Sequence, residues 1–190
     1  MDERFPISNP LASRPSPWLA GHFGLIRAGG RVLDLACGHG RHARALAALG
    51  HPVLAVDRDV QALATLAGTP GITTLAADLE GAPWPLADQR FDAILVSHYL
   101  HRPLFAHLLG ALAGDGVLLY ETFARGNEQF GRPRNPDFLL HPNELLTVFA
   151  PALTIVSFEQ GVVDTPHVAV VQRLCAVGPA YPWPPRLPTA

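Results

Sequence analysis

The sequence predicts an α/β fold, a doubly wound and mostly parallel sheet of seven strands, and three features carry that prediction. Residues 31–49, RVLDLACGHGRHARALAAL, read as a buried strand, a glycine turn and a helix in direct succession. Short apolar runs recur at residues 53–56, 72–76, 91–96 and 117–120, separated by helical patterns or turn-rich loops, the alternation that builds parallel sheets. The last two runs, at 153–158 and 167–177, are joined by a turn alone, so the seventh strand is expected to run antiparallel beside the sixth.

The 190 residues suit one domain over 1–190, large enough to bury roughly 70% of its unfolded surface. A formal net charge of −2 gives none of the global basic field that draws proteins to nucleic acid. Cys37 and Cys175 are too few for a disulfide framework, and neither has a companion at metal-ligand spacing. His98, His101 and His107 lack an accompanying acid or cysteine cluster and do not share a helix face, so no metal site is read. The N-terminus has no apolar segment behind its charges, and no apolar run approaches the ~20 residues that span a bilayer. The chain therefore reads as cytoplasmic, with no membrane partner; its oligomeric state is open.

Residues 1–17 are rich in Pro and Ser and follow neither hydrophobic period, which predicts an irregular arm. Trp18, Leu19, His22, Phe23, Leu25 and Ile26 then recur at near-helical spacing, predicting a short helix before Gly29 and Gly30, with Trp18 a core residue. In the first strand Val32, Leu33 and Leu35 are apolar, and Asp34 interrupts them. Gly38 and Gly40 let the chain turn and a ligand approach the backbone, and the helix opening at Arg41 offers unpaired N–H groups and partial positive charge. With Ala43 these glycines fit the dinucleotide fingerprint, which admits NAD(P). Asp34 argues for a ligand carrying an ammonium group, because a second strand-end carboxylate repels a pyrophosphate.

The second strand ends in Asp57, Arg58 and Asp59, and a helix is predicted over 60–66. Asp57 stands 17 residues past Gly40, near the separation at which a second-strand acid reaches a ribose, and its two oxygens suit the paired hydroxyls. Asp59 is the expected N-cap. After the third strand come Asp78, Leu79 and Glu80, where Asp78 is either a ligand contact or an ordinary Asx-turn, and Trp84 is read as a lid over the core edge. The fourth strand delivers Ser97, His98, Tyr99, His101 and Arg102 to the carboxyl edge, where open α/β sheets bind ligands. Leu104, Leu108, Leu109 and Leu112 form a helical stripe that should stop at Gly114-Asp115-Gly116. The fifth strand brings Glu121 to the same edge, and the aperiodic loop 124–142 follows with Arg125, Asn127, Arg132 and Arg134; a loop of that length is usually functional. A helix is predicted over 143–149. Residues 178–190 are proline-rich and read as an extended, partly mobile tail.

The run from Asp34 to Gly40, DLACGHG, resembles the acid-x-Gly-x-Gly-x-Gly motif of the seven-stranded, class I SAM-dependent methyltransferases, with Ala36 replacing the first glycine. S-adenosylmethionine carries the ammonium group that Asp34 favours. The segments YLHRPLF and YETFARGNEQFGRPRNPDFLL resemble, more specifically, a small bacterial group likened to tellurite-resistance methyltransferases. The resemblance implies sheet order 3-2-1-4-5-7-6. It implies cofactor contacts at Asp34, Ala36, Cys37, Gly38, Gly40, Asp57, Arg58, Asp78, Leu79 and Ser97, with Asp78 on the adenine amino group and the Leu79 N–H on a ring nitrogen.

The sequence is thus read as a methyltransferase that uses S-adenosylmethionine, releases S-adenosylhomocysteine and acts on a small-molecule acceptor. His98, Tyr99, His101 and Glu121 are base candidates if the acceptor needs deprotonation. Arg102, Arg125, Asn127, Arg132 and Arg134 are substrate candidates, because arginine forks suit carboxylates and oxyanions. The competing role for these arginines is to brace the loop through Glu121, Glu128 and Asp137. An NAD(P)-dependent oxidoreductase and a non-catalytic SAM-binding sensor or scaffold are the alternative functions.

Overall fold

A computed structural model describes residues 14–187. Its strands are β1 (Val32–Leu35), β2 (Val53–Asp57), β3 (Ile72–Ala76), β4 (Phe91–Ser97), β5 (Leu112–Phe123), β6 (Thr154–Val163) and β7 (Ala169–Val177), and its helices are α1 (Pro17–Gly21), α2 (Arg41–Ala48), α3 (Val60–Ala64), α4 (Phe105–Ala111) and α5 (Glu144–Phe149). The seven strands form one sheet in the order β3-β2-β1-β4-β5-β7-β6. Pairing is parallel from β3 through β5, while β7 runs antiparallel to both β5 and β6, as the two adjacent terminal runs predict.

Side chains alternate across a strand, so each strand divides its apolar residues between two cores. Leu33, Leu35, Ile94, Val96, Leu118 and Tyr120 face the layer built by α4 and α5. Val32, Ala93, Leu95, Val117, Leu119 and Cys175 face the layer of α1, α2 and α3. Asp34 occupies a position of the second set, which turns its carboxylate toward α2.

Several boundaries differ from the sequence expectation: β6 runs five residues past the expected 158, β7 begins two residues later than expected, and three others have a visible cause. The helix over residues 60–66 ends at Ala64, where Thr65 caps it by returning its hydroxyl to the Ala62 carbonyl. The leading helix is a single turn, α1, capped by Ser16 and followed by a 3-10 turn at Phe23–Leu25. The strand expected at 117–120 begins five residues earlier at Leu112, taking in Gly114-Asp115-Gly116. The tail explains it: the N–H groups of Gly178 and Ala180 donate to the carbonyls of Gly116 and Gly114, and a Cβ on Gly178 would lie 2.2 Å from the Gly114 oxygen. Tyr181 then donates its hydroxyl to the Leu25 carbonyl, so residues 178–181 are tied down, while Trp183 and Leu187 further along are exposed. Of the arm, residues 1–13 lie outside the described residues, but Ser16 is buried.

Candidate active site

The glycine turn is set by backbone sterics. Ala36, Gly38 and Gly40 have φ of 52°, 54° and 71°, all left-handed. The two glycines are needed for different reasons: a Cβ on Gly40 would come within 2.5 Å of Leu66, whereas one on Gly38 would meet nothing within 4 Å. Gly38 thus opens onto free space at the carboxyl edge. Ala36 holds the same strained conformation with a side chain, the local cost of the departure from glycine. The Cys37 thiol is buried against the Gly38 carbonyl, and burial raises its pKa, so it is an inert packing group.

Two acids hold this turn in place. Asp34 is 1% exposed and accepts from the Ala43 N–H at 2.9 Å, tying β1 to the first turn of α2. Burial pushes its carboxyl up to about 7, against the opposing pull of the Ala43 hydrogen bond and Arg41. Its first role is therefore an internal clamp, and its charge toward a ligand is only partial near neutral pH. Asp57 accepts from the N–H groups of Gly38 and Asp59, both at 2.8 Å, so it joins the turn to the end of β2. It remains half-buried at the edge, with lone pairs left over for a ligand. Asp59 caps α3 as expected.

Beyond β3, Asp78 is exposed and accepts from the Glu80 N–H in an Asx-turn, with Leu79 buried beside it in the core and Arg58 exposed nearby. Backbone hydrogen bonds from Glu80 and Gly81 hold the Asp78 carboxyl below its usual range. The hydroxyl of Tyr99 is buried and lacks a hydrogen-bond partner. Burial raises its pKa first and the nearby Glu80 second, although Glu80 does not reach it with hydrogen-bonding geometry. An open glycine turn, an acid at each of two successive strand ends and an orphaned buried hydroxyl fit a nucleoside cofactor. Trp84 is half-buried against the core and stacks on His107 at 5.2 Å, in keeping with its expected place at the core edge.

The same strand face collects a second polar cluster. Ser97, Glu121 and Arg173 share the parity of Asp34 on β4, β5 and β7. Glu121, 4% exposed, accepts from Arg173 Nε at 2.7 Å and from the Ser16 hydroxyl at 3.0 Å. The Ser16 N–H donates to Nε2 of buried His42, which fixes that ring as neutral with its proton on Nδ1. Burial and Arg41 keep its pKa well below the ordinary value. Arg41 donates to Ser97 Oγ at 3.1 Å and faces His98 Nδ1 at 3.4 Å. His98 has a left-handed backbone, packs on Phe123 and turns Nε2 toward Glu121 at 4.0 Å. Burial, with Arg41 and Arg173 alongside, holds its pKa below the ordinary imidazole range even though 36% of the side chain meets solvent. Sequence reasoning singled out Ser97, His98 and Glu121 but missed Ser16, Arg41, His42 and Arg173.

The substrate candidates divide. Arg102 makes a two-pronged pair with Glu144, at 2.6 and 3.0 Å, and donates to the carbonyls of Asp137 and Leu139, so it braces the loop. Asn127 is buried, donating to the Pro133 carbonyl and accepting from the Val170 N–H. Arg125 is exposed and meets His141 at 3.3 Å. Arg132 and Arg134 are exposed and form no ion pair among the described residues. His101 precedes the 3-10 turn at Arg102–Leu104 and accepts from the Leu104 N–H through its carbonyl. Among the described residues no group of three metal-ligating side chains occurs, and no helix is long and apolar enough to cross a membrane.

The strand order, with β7 antiparallel, defines a Rossmann-like α/β fold. Residues 32–116, less than half of the chain, match a family described as a methyltransferase domain. No curated protein sequence matches it. Among solved structures it is similar to TehB from Haemophilus influenzae, with TM-score 0.74 and 18% identity over 86% of this chain and 62% of that one. The chain thus spans less than two thirds of that protein. It is also similar to a TehB-like SAM-dependent methyltransferase from Corynebacterium glutamicum, with TM-score 0.63 and 18% identity over 88% of this chain and 91% of the other. A S-adenosylmethionine-dependent methyltransferase from Mesorhizobium loti gives TM-score 0.63 and 20% identity over 83% and 97% of the respective chains. At these identities the likeness is one of fold.

Proposed function

We propose that the domain methylates a small acceptor that arrives already as an anion. When bound, S-adenosylmethionine supplies a methyl group on a positively charged sulfur, and transfer is a single in-line displacement that depends on positioning. Gly38, Asp57, Asp78 and Tyr99 are the residues that would hold the cofactor. The observation that supports an anionic acceptor is the fate of three of the four candidate bases. His98 Nδ1 faces the Arg41 guanidinium, Glu121 is paired with Arg173 and accepts from the Ser16 hydroxyl, and the Tyr99 hydroxyl is pushed further from ionisation. Arginine is what the acceptor side does supply: Arg41 at the cluster, and Arg125, Arg132 and Arg134 exposed on the loop after β5. A nucleophile that needs no base and prefers positive surroundings fits both facts.

The test has two stages. S-adenosylmethionine and S-adenosylhomocysteine should raise the melting temperature, whereas NAD and NADP should not; stabilisation by NAD alone would overturn the methyl-transfer reading. A screen over thiols, carboxylates, phenols, amines and chalcogen oxyanions, reading out S-adenosylhomocysteine, should then give its best rates with an acceptor that is anionic at the assay pH. A best substrate that is neutral or cationic would end the anionic reading. Cofactor binding without turnover on any class would favour a sensor or scaffold.

A further inference from the structure

The cluster between the glycine turn and the end of β4 has an unbalanced charge. Arg173 has its counter-charges in contact, Glu121 at 2.7 Å and Glu159 at 3.4 Å. Arg41 does not: among the described residues no carboxylate lies within ion-pair distance of its guanidinium. Glu121 and Asp34 act on it only through space, and both are committed elsewhere, to Arg173 and Ser16 and to the Ala43 N–H respectively. Only Nη2 of Arg41 is used, toward Ser97 and His98, and Nε and Nη1 make no hydrogen bond among the described residues.

Arg41 is also half-buried, and a guanidinium withdrawn from water without a counter-ion is costly. Its placement is fixed from both sides. It is the first residue of α2, directly after Gly40, and its Nη2 is held at Ser97 and His98 at the end of β4. A planar fork fixed in this way presents parallel donors to a planar anion better than a lysine would.

We propose that Arg41 is the anion anchor of this cluster, taking as counter-ion a carboxylate or oxyanion of a ligand bound beside it. Two sources carry that chemistry: the carboxylate of the methionine portion of the cofactor, and the acid group of the acceptor. The assignment rests on the methyl-transfer reading above, since it needs one of those ligands bound beside Arg41.

The test compares wild type, Arg41→Gln and Arg41→Lys by isothermal titration with S-adenosylhomocysteine and with 5′-methylthioadenosine, which keeps the nucleoside and thioether but lacks the amino acid. Each protein saturated with S-adenosylhomocysteine is also titrated with phosphate and with benzoate by thermal shift. If the cofactor supplies the anion, Arg41→Gln weakens S-adenosylhomocysteine about ten-fold or more and 5′-methylthioadenosine less than about two-fold. If the acceptor supplies it, both thioethers bind as in wild type, and the stabilisation by phosphate or benzoate seen in wild type is lost. Arg41→Lys, which keeps charge without the fork, should fall between wild type and Arg41→Gln, and it carries the comparison if the glutamine variant does not fold. Unchanged behaviour toward every probe overturns the assignment. So does a parallel loss of both thioethers, which would make Arg41 a shaping residue. Failure of wild type to bind either thioether would count against the methyl-transfer reading itself, so the two failures are distinguishable.

Discussion

Asp34→Asn should change how stability depends on pH, and the size of the change follows from the burial of one carboxyl. Asp34 is 1% exposed, and its native pKa is pushed up to about 7 from an unfolded value of 3.8. The folded state therefore holds a proton that the unfolded chain releases. Stability from this group is fully present below about pH 4 and is lost progressively as pH rises to about 7, above which both states are ionised and the loss is constant. About three units at roughly 1.4 kcal/mol each give a loss of about 4 kcal/mol across that interval. Asparagine keeps an oxygen to accept from Ala43 and cannot ionise. Urea denaturation of both proteins between about pH 4 and pH 8 should show similar stabilities at the acid end and a growing advantage for Asp34→Asn toward neutrality. Two pH profiles that run parallel would mean that Asp34 is already ionised in the native protein and that burial does not govern its charge.

Asp57→Ala should weaken S-adenosylhomocysteine by at least ~1.5 kcal/mol in titration calorimetry, and should lower the melting temperature because the Gly38 and Asp59 N–H groups lose their acceptor. A folded variant with wild-type affinity would remove Asp57 from the cofactor site. Ala36→Gly should stabilise the protein by about 0.5–1 kcal/mol in chemical denaturation, as relief of a left-handed alanine exceeds the entropy that glycine adds to the unfolded chain; a loss of stability would show that the Ala36 Cβ packing outweighs its strain. Arg102→Gln should cost about 1–2 kcal/mol of stability with cofactor affinity intact, since it breaks the Glu144 pair and two loop contacts. Arg132→Gln should leave the melting temperature nearly unchanged and raise KM for an anionic acceptor; the reverse pattern for the pair would exchange their roles.

How much of the fold was readable depends on whether the signal was local. β1, its glycine turn and α2 are consecutive in sequence, and period, glycines and helix formers all agree there, so every part of that unit lies where it is expected. The start of β5 was not readable. Gly114 and Gly116 carry the ordinary marks of a helix stop and turn, and they become strand only because the backbone of Gly178 and Ala180 arrives to pair with them. A pairing that closes more than sixty residues of chain leaves no trace in the local pattern. The docking of the tail by Tyr181 was hidden in the same way, behind prolines that signal only the end of a sheet.

The site shows the same divide at the level of single side chains. Strand parity places Asp34, Ser97 and Glu121 on one face, and each strand's end was legible, so these three could be drawn together from sequence. Arg173 could not, because its meeting with Glu121 is a cross-strand pair whose register is set where antiparallel β7 returns beside β5. Nor could Ser16, which lies in a stretch with no period at all. The arginines show why charge and position were insufficient. Arg102 and Arg132 both follow strand ends and looked equivalent, yet Glu144 lies 42 residues beyond Arg102 and engages it, while Arg132 faces no acid among the described residues. Arg41 was overlooked for the opposite reason. Its place after Gly40 has a complete local explanation as a helix start, and only the three-dimensional inventory of acids reveals that its charge is unanswered among the described residues. An arginine's role is decided by which carboxylates reach it, and that is a property of the folded neighbourhood, so the residues most informative about the ligand are those whose expected partner is missing.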